Sequence, residues 1–145
     1  RDLVRSRGLG DVYKRQTYYC TAVSMGNPHV IQYVDTLDFD IEAIGPKFEH
    51  ASLFPESVNT EFVKVVDREH LKMRVWERGS GETMACGTGA CAVMYASYLN
   101  NKCDEKVDVE LLGGHLQIEL RDKKIFMTGP ARTTFEGTLK EEDYA

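Results

Sequence analysis

No apolar stretch in these 145 residues approaches the roughly 20 that a membrane-spanning helix needs, and no membrane partner is expected. Cysteine is sparse. Its four residues fall at irregular spacing with no Cys-x-x-Cys pair, which argues against a disulfide framework and against a structural zinc site. A reducing, cytoplasmic setting is the expectation. Residues 1–16 lack an apolar core flanked by a small-residue cleavage site, so they are not expected to act as a secretory signal. No linker, internal repeat or low-complexity tract interrupts residues 17–139. With 42% hydrophobic and 28% charged residues, the chain has the composition of one globular domain with a core of its own.

Charge is unevenly spread. Arg1, Arg5, Arg7, Lys14 and Arg15 make residues 1–16 basic. Taking these five cations and two acids from totals of 18 and 23 leaves 13 and 21, a net charge of −8 for the remainder. Residues 1–16 show no helical or strand periodicity that would anchor them to a core. Their end, Asp11-Val12-Tyr13-Lys14-Arg15-Gln16, resembles the translation of a transposon-end adapter used in preparing DNA libraries. The segment is read as non-native and set outside the fold, so that the natural chain is expected to enter in mid-gene at about Thr17. The alternative is a natural basic arm for nucleic acid. The acidic remainder offers such an arm no basic surface to continue onto, and no nucleic-acid partner is expected.

Residues 17–25 are rich in aromatic and β-branched side chains and read as a strand. Gly26-Asn27-Pro28 breaks it with turn chemistry, and 29–34 read as a second strand. Asp38 or Asp40 can cap a short helix running to about His50, with Ile41, Ile44 and Phe48 on one face and a kink expected at Pro46. Residues 52–57 read as loop. Residues 58–66 and 70–77 alternate apolar and polar side chains, as half-buried strands do, around a polar turn at 67–69. A glycine-rich loop follows at 79–81. A helix then starts near Cys86 or Gly87 and runs to about Asn101. It is apolar almost all round, so cover is expected on every side. Short strands at 107–112, 115–120, 124–128 and 133–139 are expected to supply that cover, with 140–145 as a tail. The fold class is α+β: a mixed, mostly antiparallel sheet curled around one central helix.

Chemistry concentrates in Glu77-Arg78-Gly79-Ser80-Gly81-Glu82-Thr83-Met84-Ala85-Cys86-Gly87-Thr88-Gly89-Ala90-Cys91. A helix N-terminus offers unpaired N–H groups and a positive dipole end. Both are expected to lower the pKa of Cys86 and enrich its reactive thiolate. The same N–H groups can hold a carboxylate. Gly87 and Gly89, lacking side chains, are expected to let a small ligand approach the backbone. The bland reading, a buried structural cysteine in a glycine turn, suits Cys91 better. Cys91 lies about 140° round the helix from Cys86 among apolar neighbours. Cys20 and Cys103 read as packing or surface residues.

This stretch resembles the signature around the second catalytic cysteine of the diaminopimelate epimerase family. Three further stretches fit in order: Ser24-Met25-Gly26-Asn27-Pro28-His29, Phe54-Pro55-Glu56-x-Val58-Asn59, and Leu112-Gly113-Gly114-x-Leu116 with Met127-Thr128-Gly129-Pro130-Ala131. The resemblance covers about residues 17–139. It implies an enzyme of two similar halves, each a sheet wrapped round a helix with a cysteine at its N-terminus. The two thiols face opposite sides of the substrate α-carbon and use neither pyridoxal phosphate nor metal. One removes the α-proton and the other returns one, interconverting L,L- and meso-diaminopimelate. By the same resemblance Cys86 is the catalytic thiol of this half. His29 and Glu77 tune the thiols, and Asn27, Asn59, Glu77, Arg78, Gly87 and Thr88 bind substrate. The chain corresponds to the C-terminal half, so the partner implied is the N-terminal half of the same enzyme, with a homodimer possible in principle. The fragment alone is expected to be inactive.

Three alternatives stay open on sequence. Related cofactor-independent racemases and isomerases share the fold. Cys86 with His29 could serve a cysteine hydrolase, which would also need an oxyanion site and an orienting carboxylate. A non-catalytic domain of the same fold is the third. No comparable support is found for His50, His70 or His115.

Overall fold

Apolar residues two apart along successive strands, and a solidly apolar helix between them, lay down a curved sheet with helices on both faces. The computed structural model describes residues 5–10 and 17–143. Its strands are β1 (Arg5–Gly10), β2 (Thr17–Ser24), β3 (Pro28–Tyr33), β4 (Asn59–Asp67), β5 (His70–Glu77), β6 (Gly81–Thr83), β7 (Lys106–Leu111), β8 (Gly114–Arg121) and β9 (Lys124–Thr128). Helix α1 (Ile41–Glu49) joins β3 to β4, and α2 (Gly87–Leu99) precedes β7. The strands form one mixed sheet in the order β1-β2-β3-β4-β5-β7-β8-β9, with β6 paired to β5. Pairing is parallel at β3–β4 and β5–β7 and antiparallel elsewhere. The two parallel pairs are the two places where a helix carries the chain across, as parallel strands require. The sheet curls into a half-barrel, the α+β architecture expected.

Side-chain alternation divides the core between the two faces. Ile31, Val63, Met73, Val75, Val109 and Ile118 pack with Ala90, Val93, Met94 and Ala96 of α2. Val30 and Phe62, one residue out of step with Ile31 and Val63, pack instead with Ile41 and Phe48 of α1. Asp40 caps α1 as expected, accepting from the N–H groups of Glu42 and Ala43. Pro46 sits inside that helix, which continues to Glu49. Proline costs the helix one N–H donor. Gly45 beside it lies against the indole of Trp76, where a Cβ would overlap the ring. Glu49 closes the corner, accepting from Trp76 Nε1 and from the N–H of Gly79, each at 2.8 Å.

Four features differ from the sequence expectations. Arg5–Gly10, in the segment set outside the fold, pairs antiparallel with β2 along six residues, a sheet edge being able to accept any extended backbone. Residues 81–83, for which no strand is expected, form β6. Arg74 holds it there, its Nε and Nη2 reaching Glu82 at 2.7 and 3.0 Å while Nη1 donates to the carbonyls of Leu37 and Phe39. Residues 133–139 are not a strand. The segment is exposed, with Phe135 at 84% and Leu139 at 74% accessibility, and pairs with no described strand. Extended sequence without a partner makes no ladder. As a result α2 is covered on its sheet side only. Cys91, Tyr95 and Tyr98 lie partly buried along one stripe, and Leu99 is exposed. The tail ends in a 3₁₀ turn, Glu141–Asp143. Among the described residues no helix is long and apolar enough to cross a membrane.

Candidate active site

Helix α2 begins where the β6 hairpin delivers the chain in extended conformation. Cys86 is its N-cap, with φ −143° and ψ 104°. The N-cap position is usually held by Ser, Thr, Asp or Asn, whose side-chain oxygen takes an orphan N–H. Here a sulfur does so, Sγ accepting from the N–H of Gly89 at 3.3 Å. The Thr88 hydroxyl lies 3.7 Å from the same sulfur. Gly87 and Thr88 open the helix, where geometry provides their N–H groups with no intrahelical acceptor.

A chain of polar contacts runs from this thiol into the core. Asn27 Nδ2 donates to Thr88 Oγ1 at 3.5 Å. Asn27 Oδ1 lies 3.0 Å from His29 Nε2, and His29 Nδ1 lies 2.6 Å from Glu61 Oε1. His29 and Glu61 are both fully enclosed as side chains. The register explains the meeting: β3 and β4 run parallel, His29 opposite Asn59 and Ile31 opposite Glu61, so His29 and Glu61 project to the α2 face from neighbouring strands.

The remaining expected residues surround this line. Asn59 is buried and ties two loops together, its Nδ2 donating to the carbonyl of Pro28 and its Oδ1 accepting from the N–H of Arg78. Arg78 is exposed, with Nη1 donating to the Glu56 carbonyl. Glu77 accepts from the Thr83 hydroxyl at 2.6 Å. His50, His70 and His115 lie at the surface beside Glu49, Asp67 and Asp108. Cys91 packs partly buried against the α2 core, and Cys103 is buried in it. Cys20 belongs to the core under α1.

One expectation about the site needs correction. Burial pushes the Cys86 thiol above its ordinary value, and negative charge on Glu61 or Glu77, where present, pushes the same way. The Thr88 hydroxyl and the Gly89 N–H pull it down without winning. The helix start therefore tempers a raised pKa and does not produce a lowered one. On the Cβ side the space beside the two glycines is narrow. A Cβ at Gly89 would come within 2.6 Å of Glu61 Oε1 and 3.1 Å of Cys86 Sγ, and one at Gly87 within 3.2 Å of Met127 Sδ. In that direction the glycines make room for Glu61, Cys86 and Met127. Sequence reading missed Glu61. Its signal was parity: Glu61 shares a face with Val63 two residues on, which places a carboxyl among core residues.

Apolar side chains also stand exposed on this side of the chain. Met84, Leu112 and Met127 are each more than half exposed, and Met127 reaches Gly87 while the backbone of Met84 lies against Gly113.

Together these features define a class, a half-barrel sheet curled on a helix whose N-cap is a cysteine. A solved phenazine biosynthesis protein from Bacillus anthracis shares the fold, with a TM-score of 0.53 at 22% identity over 76% of this chain and 38% of that one. Residues 21–134 match the family model described as diaminopimelate epimerase, and the chain belongs to that family. It is 55% identical to the diaminopimelate epimerase of Nostoc punctiforme over 127 residues, 86% of this chain and 46% of that protein. With the diaminopimelate epimerase of Acetivibrio thermocellus it shares 59% identity over 122 residues, 82% of this chain and 44% of that protein. The chain thus spans about half the length of the curated relatives it matches.

Proposed function

We propose that this chain is the C-terminal half of a cofactor-independent isomerase that inverts the α-carbon of L,L-diaminopimelate to give the meso form, working in the cytoplasm. The observation that carries the reading is Cys86 itself: a partly enclosed thiol at a helix N-cap, held by the Gly89 N–H and faced by the Thr88 hydroxyl. Because burial favours the protonated form, Cys86 rests as a thiol and gives its proton to one face of the α-carbon. A thiolate from the other half of the enzyme takes the α-proton from the opposite face. Cys86 then becomes the thiolate, which the Gly89 N–H and Thr88 O–H stabilise, and the reverse reaction starts from that state. The N–H groups of Gly87 and Thr88 bind the substrate's α-carboxylate at the helix N-terminus. Asn27 and Arg78 contact the rest of the substrate, with Arg78 suited to a second carboxylate. Asn59 contributes by holding the loops that carry them, and Glu77 and His29 shape the field around the thiols. The exposed methionines near Cys86, and Leu112, meet the other half and exclude water, which a carbanion-like transition state requires.

A hydrolase reading is weaker. Both ring nitrogens of His29 are occupied, by Glu61 and Asn27, and its line to the sulfur passes through an amide and a hydroxyl.

The test is a chimera in which residues 21–134 replace the matching segment of the Nostoc punctiforme relative. It is expected to interconvert L,L- and meso-diaminopimelate, and Cys86→Ala within it to lower kcat by about 10²–10⁴-fold, the usual contribution of a positioned acid or base. A chimera whose Cys86→Ala variant kept full activity would refute the assignment.

A further inference from the structure

Glu61 is the one acid enclosed in the core beside the thiol among the described residues, and one of its oxygens, Oε2, has no hydrogen-bond partner. The other touches His29 Nδ1 and lies against the first turn of α2 at Gly89. Proton accounting fixes what that contact does. Asn27 gives its N–H to Thr88, so its Oδ1 faces His29 and can only accept. His29 Nε2 must therefore carry a proton. Nδ1 then either accepts from a neutral Glu61 or donates to an ionised one, and in both cases the pair is neutral as a unit. An ionised carboxylate with an orphaned buried oxygen is costly, and burial pushes Glu61 up. Burial thus favours the neutral carboxyl, donating to Nδ1.

We propose that Glu61 is a positioning residue for the Cys86 thiol: its carboxyl at Nδ1 holds His29 with Nε2–H toward Asn27, which turns the Asn27 amide toward Thr88 and leaves the Thr88 hydroxyl proton for the sulfur. Without Glu61 the ring is released to the other tautomer. A bare Nε2 would then face Asn27, the amide would turn over, and its oxygen would draw the Thr88 proton away from Cys86. The thiolate would lose one of its two donors. Other groups facing Cys86 are Glu77 from the end of β5 and Cys91 from its own helix, and Glu77 also faces Glu61. None of these touches His29 Nδ1, so they do not set the ring's orientation. The inference rests on the reading of Cys86 as the reacting thiol, but its test needs no turnover.

Two measurements on the chain decide it. Nitrogen-15 NMR of the unaltered protein is expected to show His29 Nε2 protonated near neutral pH. Alkylation of Cys86 by iodoacetamide, followed on its own peptide by mass spectrometry to separate it from Cys20, Cys91 and Cys103, is then compared across pH for Glu61→Leu and Glu61→Gln. Glutamine can donate to Nδ1 and keep the tautomer, so its profile is expected to overlie the parent's. Leucine cannot, and the Cys86 midpoint is expected to rise by about one unit, with alkylation about tenfold slower below it. A bare Nε2 in the parent overturns the proposal. So does an unshifted leucine variant, or a glutamine variant that shifts as far as leucine, since that would make charge and not orientation the cause. If the leucine variant does not fold, the parent spectrum and the glutamine profile still decide. Failure here leaves inversion of diaminopimelate untouched, and failure of inversion leaves the His29 spectrum untouched.

Discussion

At the scale of single residues, Gly89 shows how tightly the site is built. Alanine at a helical glycine gains up to about 1 kcal/mol in propensity. Here its methyl would meet the Glu61 carboxyl and the Cys86 sulfur, and overpacking a filled site costs about 1–3 kcal/mol. The clash involves an enclosed carboxyl with nowhere to retreat, so the cost wins. Gly89→Ala is expected to lower the urea midpoint of unfolding and to displace the Cys86 sulfur from its N–H donor. A variant as stable as the parent would show that Glu61 is not packed where described. The thiol itself yields a pH prediction. Its protonated form is favoured in the folded chain, so alkylation of Cys86 rises with pH through a midpoint above the roughly 8.5 of an ordinary cysteine. In urea, where burial is lost, the midpoint falls back to that value. A native midpoint below the unfolded one would restore the activated-thiolate picture that the helix start alone suggests.

At the scale of elements, the corner formed by α1 and β5 keeps the site's loops in place. Trp76 lies on Gly45 and donates to Glu49, whose other oxygen accepts from Gly79, next to Arg78. Gly45→Ala forces the indole away and is expected to destabilise by about 1–3 kcal/mol, read as a fall in the thermal midpoint and a red shift of the single tryptophan's fluorescence. An unchanged spectrum would contradict the packing. Element by element, the sequence was most legible where periodicity was strong. The strands at 70–77 and 124–128 have the bounds expected for them, and both helices start where their caps stand. Legibility failed where a long-range partner decides. Residues 81–83 are a strand because Arg74 reaches Glu82. Residues 133–139 carry a strand-like pattern but have no described strand to join. For Glu61, parity with Val63 signals the core face, but the partner that admits a carboxyl there is a histidine 32 residues away, which no local pattern reports.

At the scale of the molecule, the chain has a core under each helix yet leaves apolar groups in the open. Met84 and Met127 are exposed near Cys86, Leu112 is exposed in the turn that meets Met84, and one stripe of α2 is only partly covered. Such a surface suits a second body laid against it, and the relatives are about twice as long as this chain. With one thiol on one face of the α-carbon, the chain alone is expected not to invert diaminopimelate. The most direct measurement of the two-thiol account is the early incorporation of solvent deuterium by the chimera in D2O. A thiol carries a single proton, so the group that returns the proton is not the group that removed it. The account predicts that in the first turnovers the product bears deuterium at the α-carbon while recovered substrate keeps its protium, and that Cys86→Ala abolishes the incorporation into product. Product retaining the substrate's own α-hydrogen, or deuterium entering substrate and product together, would contradict it.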